Sequence, residues 1–307
     1  MNNSGEFTRD MNYIPDRITA NGDQSQDPFT EITAPTWPVE AGRYRLIAAK
    51  ACPWANRTLI VRNLLGLDAI SVGMPGPTHD QRSWTFDLDP GGVDPVLKIE
   101  RLQQAYFARY PDYPRGITVP AIVEVASGKV VTNDFPWITH DFFFEWRDHH
   151  KADAPNLWPD DVREEMETVM HRIFTEINNG VYRCGFATTQ DAYSHAYTRL
   201  WTAMDWLEER LTDRTYLMGE QLTEADVRLF TTLVRFDAVY HGHFKCNRNK
   251  LTEMPNLWRY AKHLYSIPEF HQTVDFEQIK QHYYIVHTSI NPTQIVPDGP
   301  DLTVWEL

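Results

Sequence analysis

Cys52-Pro53 carries the most pointed chemistry in this sequence. Pro53 suits the first turn of a helix, where an amide N–H would have no partner, so Cys52 stands at the helix start. Its sulfur then lies near unpaired N–H groups and the positive end of the helix dipole. Both favour the thiolate and draw the pKa below the ~8.5 of an ordinary thiol. The thiolate is the species that attacks sulfur. Position 55 is Ala55 and not a second cysteine, so a mixed disulfide on Cys52 needs an external thiol to resolve it. The competing reading is a buried, inert cysteine.

The other cysteines, Cys184 and Cys246, are far away in sequence. Three scattered cysteines make neither a disulfide framework nor a four-ligand zinc site, and they fit a reducing compartment. The histidines do not suggest a metal either. His282 and His287 are spaced poorly for one helix face, and His149-His150 and His241-x-His243 lack acidic or cysteine partners at ligand spacing. Glu164-Glu165 reads as a solvated face.

The elements that must position Cys52 follow from pattern. Residues 1–40 are polar and interrupted by Pro15, Pro28, Pro35 and Pro38, and read as an extended arm. Residues 43–49 are expected as a short buried strand. The Cys52 helix runs to Leu65, and Gly66 supplies its stop. Residues 73–116 show no clear period, and a stretch of that length inside a domain is expected to be functional. Val119-Pro120 opens an apolar run that turns at Ser127-Gly128, a β-hairpin pattern. Strand, Cys-helix, excursion, Val-Pro, hairpin and helix describe a thioredoxin-like α/β domain over 41–150.

From about residue 160 the period is helical. Val162, Met166, Val169, Ile173 and Ile177 share one face, and Leu200, Met204, Leu207 and Leu211 share another. Thr223 and Asp226 read as a capping pair for a third helix. The expectation is an all-helical domain over 160–290 and a tail over 291–307. With the strand-and-helix reading, Pro120 has two interpretations: a simple edge-strand proline, or a cis proline beside the thiol, as in thioredoxin-like folds.

A formal charge of −13 argues against a general nucleic-acid binder, which carries a basic footprint. No apolar run approaches the ~20 residues of a membrane span, and residues 1–10 lack the pattern of a secretory signal. A cytoplasmic protein is expected.

At these residues the chain resembles the Xi-class glutathione transferases, also called glutathionyl-hydroquinone reductases. The resemblance runs from about Tyr44 to Pro300. It rests on Cys52-Pro53-Trp54-Ala55 with Arg57, Ser83-Trp84-Thr85-Phe86, Thr118-Val119-Pro120, Asn179-Gly180-Val181-Tyr182 with Gly185-Phe186-Ala187, and His282-Tyr283-Tyr284 with Asn291-Pro292. It implies a homodimer and a reaction on a small aromatic thiol conjugate. Cys52 attacks the thiol sulfur, the hydroquinone leaves, and a second thiol molecule frees Cys52. Tyr182 and one of Tyr283 or Tyr284 are candidates for donating a proton to the leaving group or stabilising its oxygen. Trp54, Trp84, Val119, Pro120, Asp134 and Phe135 are the candidate thiol-binding residues.

Two departures stand out. Asn56 replaces the family's usual His beside the thiol. Where glutathione-binding members carry Glu-Ser at the start of the helix after the hairpin, this chain has Asp134-Phe135. Phe135 cannot hydrogen-bond a carboxylate, and losing a bond that a site is built to make discriminates strongly between ligands. The thiol is therefore glutathione or another, such as mycothiol, which has no free γ-glutamyl end. Two further functions remain open: a conjugating transferase, which usually activates a bound thiol with Ser or Tyr, and a non-catalytic binding module, which needs none of these residues together.

Overall fold

A computed structural model describes residues 5–20 and 35–307. Two compact units emerge. One spans residues 12–155; the other joins residues 156–307 to the N-terminal residues up to 11.

The first unit is a thioredoxin-like sheet with helices. Two short strands, β1 (Arg17–Thr19) and β2 (Thr36–Pro38), pair in parallel near its N-terminal end. The main sheet uses β3 (Tyr44–Ile47), β4 (Ser71–Gly73), β5 (Ala121–Glu124) and β6 (Val130–Thr132), in the order β4-β3-β5-β6. β3 runs parallel to β4 and antiparallel to β5. Between β3 and β4 lies α1 (Pro53–Leu65), which packs against α3 (Phe135–Phe144).

Local chemistry sets the ends of α1. Cys52 is the N-cap in an extended conformation, and Pro53 begins the helix. Gly66 ends it at φ 67°, its N–H reaching back to Arg62 and Asn63. A Cβ there would also stand 2.8 Å from the Lys151 Cβ, so glycine is required twice over.

Residues 73–116 are more ordered than their composition suggests. They contain α2 (Gln103–Arg109), too short to display a period in sequence. Asp94 anchors the stretch: fully buried, it takes Arg45 Nε and Nη2 at 2.9 and 2.8 Å. Its other oxygen accepts the N–H groups of Val96 and Leu97.

Residues 12–20, expected within an arm, are built into this unit. Ile14 and Ile18 are buried, and Arg17 Nε donates to both Asp141 oxygens of α3 at 2.9 and 2.8 Å. Ile14 N–H bonds Asn133, and Thr132 bonds the Ile14 carbonyl. The apolar and charged residues between the prolines, not the prolines, decide this packing. Pro28, with residues 1–4 and 21–34, lies outside the described residues.

The second unit is helical: α4 (Arg163–Arg172), α5 (Asn179–Gly185), α6 (Gln190–Arg210), α7 (Glu224–Arg235), α8 (Pro255–Ser266), α9 (Pro268–His271) and α10 (Phe276–Gln281). Thr223 and Asp226 form a capping box at the start of α7. Asp226 is fully buried and also accepts the Leu217 N–H and the Tyr260 hydroxyl, each at 2.8 Å. π-helical turns interrupt the regular helix at Ile173–Asn178, Phe236–Tyr240 and His282–Val286. The tail packs too, with Trp305 buried against Trp258 and Tyr265. No helix among the described residues is long and apolar enough to cross a membrane.

Candidate active site

Cys52 is buried at the N-cap of α1, the positive end of the helix dipole. Its thiol donates to the Val119 carbonyl at 3.5 Å. The Val119-Pro120 peptide is cis, and β5 follows at once. Thiol, Val119 and Pro120 are therefore brought together, although 67 residues separate Cys52 from Val119.

Trp54 and Phe135 form one aromatic stack, with ring centroids 4.5 Å apart. The Arg57 guanidinium lies 5.2 Å from the Trp54 ring and 5.3 Å from the Phe135 ring. Tyr13 meets Phe135 edge-on. With 7% and 2% exposure, Trp54 and Phe135 keep little ring surface for a ligand. Trp84 is likewise buried, its ring against His79 and its carbonyl accepting the Leu102 N–H, so it fastens its own loop.

Asp134 is the N-cap of α3 and is half-buried. Its carbonyl accepts the Trp137 and Ile138 N–H groups, and Pro136 contributes none. Burial pushes its carboxyl up to about 7; nearby Arg17 opposes the shift and Asp141 adds to it.

The tyrosines separate into two groups within the helical unit. The Tyr182 and Tyr283 hydroxyls are 2.7 Å apart, and a third phenol, Tyr240, stands 2.8 Å from Tyr283. Tyr240 and Tyr283 are almost fully buried, whereas Tyr182 is partly exposed. Burial holds the Tyr240 and Tyr283 pKa values well above 10. Tyr284 is outside this chain of hydroxyls. Its ring lies 4.6 Å from His243, and burial raises its pKa as well.

Tyr240 went unnoticed in sequence because nothing in its neighbourhood marks it. It lies 43 residues from Tyr283, and only folding joins them. The π turns contribute: Tyr240 and Tyr283 sit within them, and Tyr182 follows one by a single helical turn. Such turns insert a residue into the 3.6 period and re-aim side chains, often at functional sites. The N-terminal segment was missed as well. Arg9 bonds Asn179 at 2.6 Å with its guanidinium 4.6 Å from the Tyr182 ring, and Phe7 stacks on Phe186.

His243 and His287 share a 3.3 Å hydrogen bond, and burial lowers the His243 pKa to about 4. Among the described residues no group of three His, Cys, Asp or Glu side chains could hold a metal ion.

Residues 190–263 match the family model for the glutathione S-transferase C-terminal domain. A glutathionyl-hydroquinone reductase, PcpF, from Sphingobium chlorophenolicum is 43% identical over 85% of this chain and 84% of its own length. The crystal structure of a glutathione transferase from Gordonia bronchialis superposes with a TM-score of 0.90 at 64% identity, covering 96% of this chain and 88% of that one. The glutathione-bound structure of YqjG, a glutathione transferase homolog from Escherichia coli K-12, gives 0.85 at 36% identity, covering 97% and 94%.

Proposed function

Because this chain belongs to the glutathionyl-hydroquinone reductases, the Xi class of glutathione transferases, we propose that it removes a low-molecular-weight thiol from hydroquinone conjugates through Cys52. The observation that carries this reading is the placement of the Cys52 sulfur at the α1 N-terminus, 3.5 Å from the Val119 carbonyl.

The reaction runs in two steps. The Cys52 thiolate attacks the conjugate sulfur; the sulfur–ring bond breaks, and its electron pair stays on the ring carbon. One proton completes the hydroquinone, and Cys52 is left as a mixed disulfide. A second thiolate attacks that disulfide, releasing a symmetrical disulfide and restoring Cys52. Tyr182 is the proposed hydrogen-bond donor to the conjugate, since it is partly exposed whereas Tyr240 and Tyr283 are buried. Tyr283 acts behind it, and Tyr284 belongs to the other side of the aromatic cluster.

The finer reading concerns the thiol. Relatives are named for glutathione, yet the Phe135 side chain offers no polar group and Pro136 no N–H where α3 begins. A thiol without a γ-glutamyl carboxylate, of the mycothiol kind, suits that surface, with Asp134 left to meet a cationic or hydroxyl group. Glutathione is the alternative. Rates measured on one hydroquinone conjugate with each thiol decide between them: equal or faster turnover with glutathione overturns the mycothiol reading.

Cys52→Ser should lower turnover by at least ~10³-fold, the range lost when an essential nucleophile is deleted. Survival of activity would contradict the mechanism and favour a conjugating transferase. Absence of any reductase activity in the wild-type protein would favour a binding module. The same reading makes the protein a cytoplasmic homodimer, for which light scattering should return twice the monomer mass.

A further inference from the structure

We propose that Thr118 and Asn133 are positioning residues for the thiol: the bond between their side chains fixes the separation of Val119 and Asp134, the next residue along from each. The inference rests on the reading that Val119 and Asp134 both meet the thiol.

Thr118 needs such a hold. It lies outside the sheet, since β5 begins at Ala121, so strand pairing does not fix the backbone that leads into Val119. Side chains do this instead. Asn133 Nδ2 donates to the Thr118 hydroxyl oxygen at 2.8 Å. From α2, the buried Tyr106 hydroxyl donates to the Thr118 carbonyl at 2.9 Å, and the Thr118 and Asn133 side chains also interact with that hydroxyl.

The second contact of Asn133 fixes the direction of its amide. The Ile14 N–H, which can only donate, meets Oδ1 at 2.8 Å. Nδ2, also only a donor, is therefore the atom that faces Thr118. Asn133 is buried, so leaving either end of the amide unbonded is costly. The neighbouring Asp134 N–H donates to the Thr132 hydroxyl at 3.2 Å, and that hydroxyl donates to the Ile14 carbonyl at 2.7 Å. Val119, whose carbonyl meets the Cys52 thiol, is thereby tied to Asp134, the N-cap of α3.

The arrangement also gives the 73–116 stretch a task. Arg109, one helical turn after Tyr106 on α2, donates to the Val130 and Val131 carbonyls at 3.1 and 2.7 Å. It also reaches Asp16 at 2.6 Å, so α2 is clamped to β6 and braces Thr118 from its other side.

Thr118→Val and Thr118→Ser test the claim, in steady-state reduction of a glutathionylated naphthohydroquinone with glutathione and, in parallel, mycothiol as the second thiol. Valine keeps the branched shape and loses the hydroxyl; serine keeps the hydroxyl. Thr118→Val should raise KM for the thiol that turns over by about 3–10-fold, the worth of one hydrogen bond. Its kcat should stay within about twofold, as loss of uniform binding leaves it, and Thr118→Ser should keep both constants within about twofold. Asn133→Ala should raise KM at least as much, and adding Thr118→Val to it should change nothing further, because both break one bond. Should Asn133→Ala fail to fold, the two Thr118 variants carry the test.

A thiol KM within about twofold of wild type in Thr118→Val, whatever its stability, would overturn the proposal. So would a Thr118→Ser KM as high as that of Thr118→Val, which would trace the effect to the methyl group. Thr223→Ala lowers stability in the helical unit and should leave the thiol KM unmoved; a rise there would tie KM to stability and overturn the proposal as well. Wild-type turnover with neither thiol, or a wild-type KM in Asp134→Ala, would instead defeat the underlying reading, which separates the two failures.

Discussion

At the residue scale, Asp134 couples pH to the fold. Its carboxyl ordinarily titrates near 3.8 and is pushed up to about 7, chiefly by burial. Below pH 3.8 it is protonated folded or unfolded, and the fold carries no penalty. As pH rises from about 4 to 7 the unfolded chain ionises freely while the folded chain resists, so stability falls; above 7 the loss is complete. Asp134→Asn should therefore be more stable than the wild type by about 1 kcal/mol at pH 8, after allowing for solvent screening of a half-buried group. Urea midpoints at pH 8 and pH 4 check this, and the gap should close at the lower pH. An equal gap at both would assign the effect to packing. A cationic group on the bound thiol would prefer the ionised form, so its affinity should rise with pH through about 7.

Elements end where local chemistry ends them, and those signals are the ones readable in advance. Cys52-Pro53, Gly66 and the Thr223–Asp226 pair each act within a few residues, and each stands at the boundary expected of it. Gly66→Ala should destabilise by about 1–2 kcal/mol, because a left-handed residue gains a Cβ that also meets Lys151. Thr223→Ala should lose about 1–2 kcal/mol of capping energy. Denaturant midpoints falling at unchanged slope would support both, and an unchanged midpoint in either would count against its stated role. Where regular spacing breaks, the sequence is silent. The π turns at Phe236–Tyr240 and His282–Val286 have no period of their own, and α2 is too short to have one. Hence the family resemblance points to Tyr182 and to Tyr283 or Tyr284 as candidates, while only the fold joins Tyr240 to Tyr283.

Over the whole molecule, the division into a thioredoxin-like sheet unit and a helical unit follows from a change of period near residue 160. The less readable parts are contacts made across long separations. Ile14, Arg17 and Arg9 look like members of a proline-broken arm, yet Asn133, Asp141 and Asn179 hold them, each more than 100 residues away. Burial of Trp54, Phe135 and Trp84 is likewise a tertiary outcome that residue type does not reveal. The proposed chemistry concentrates on one sulfur. Mixing the protein with one equivalent of a glutathionylated hydroquinone, with no added thiol, and weighing the peptides by mass spectrometry tests that claim most directly. The account predicts one equivalent of hydroquinone released and one glutathione in disulfide linkage on Cys52. Hydroquinone released with Cys52 unmodified would contradict it.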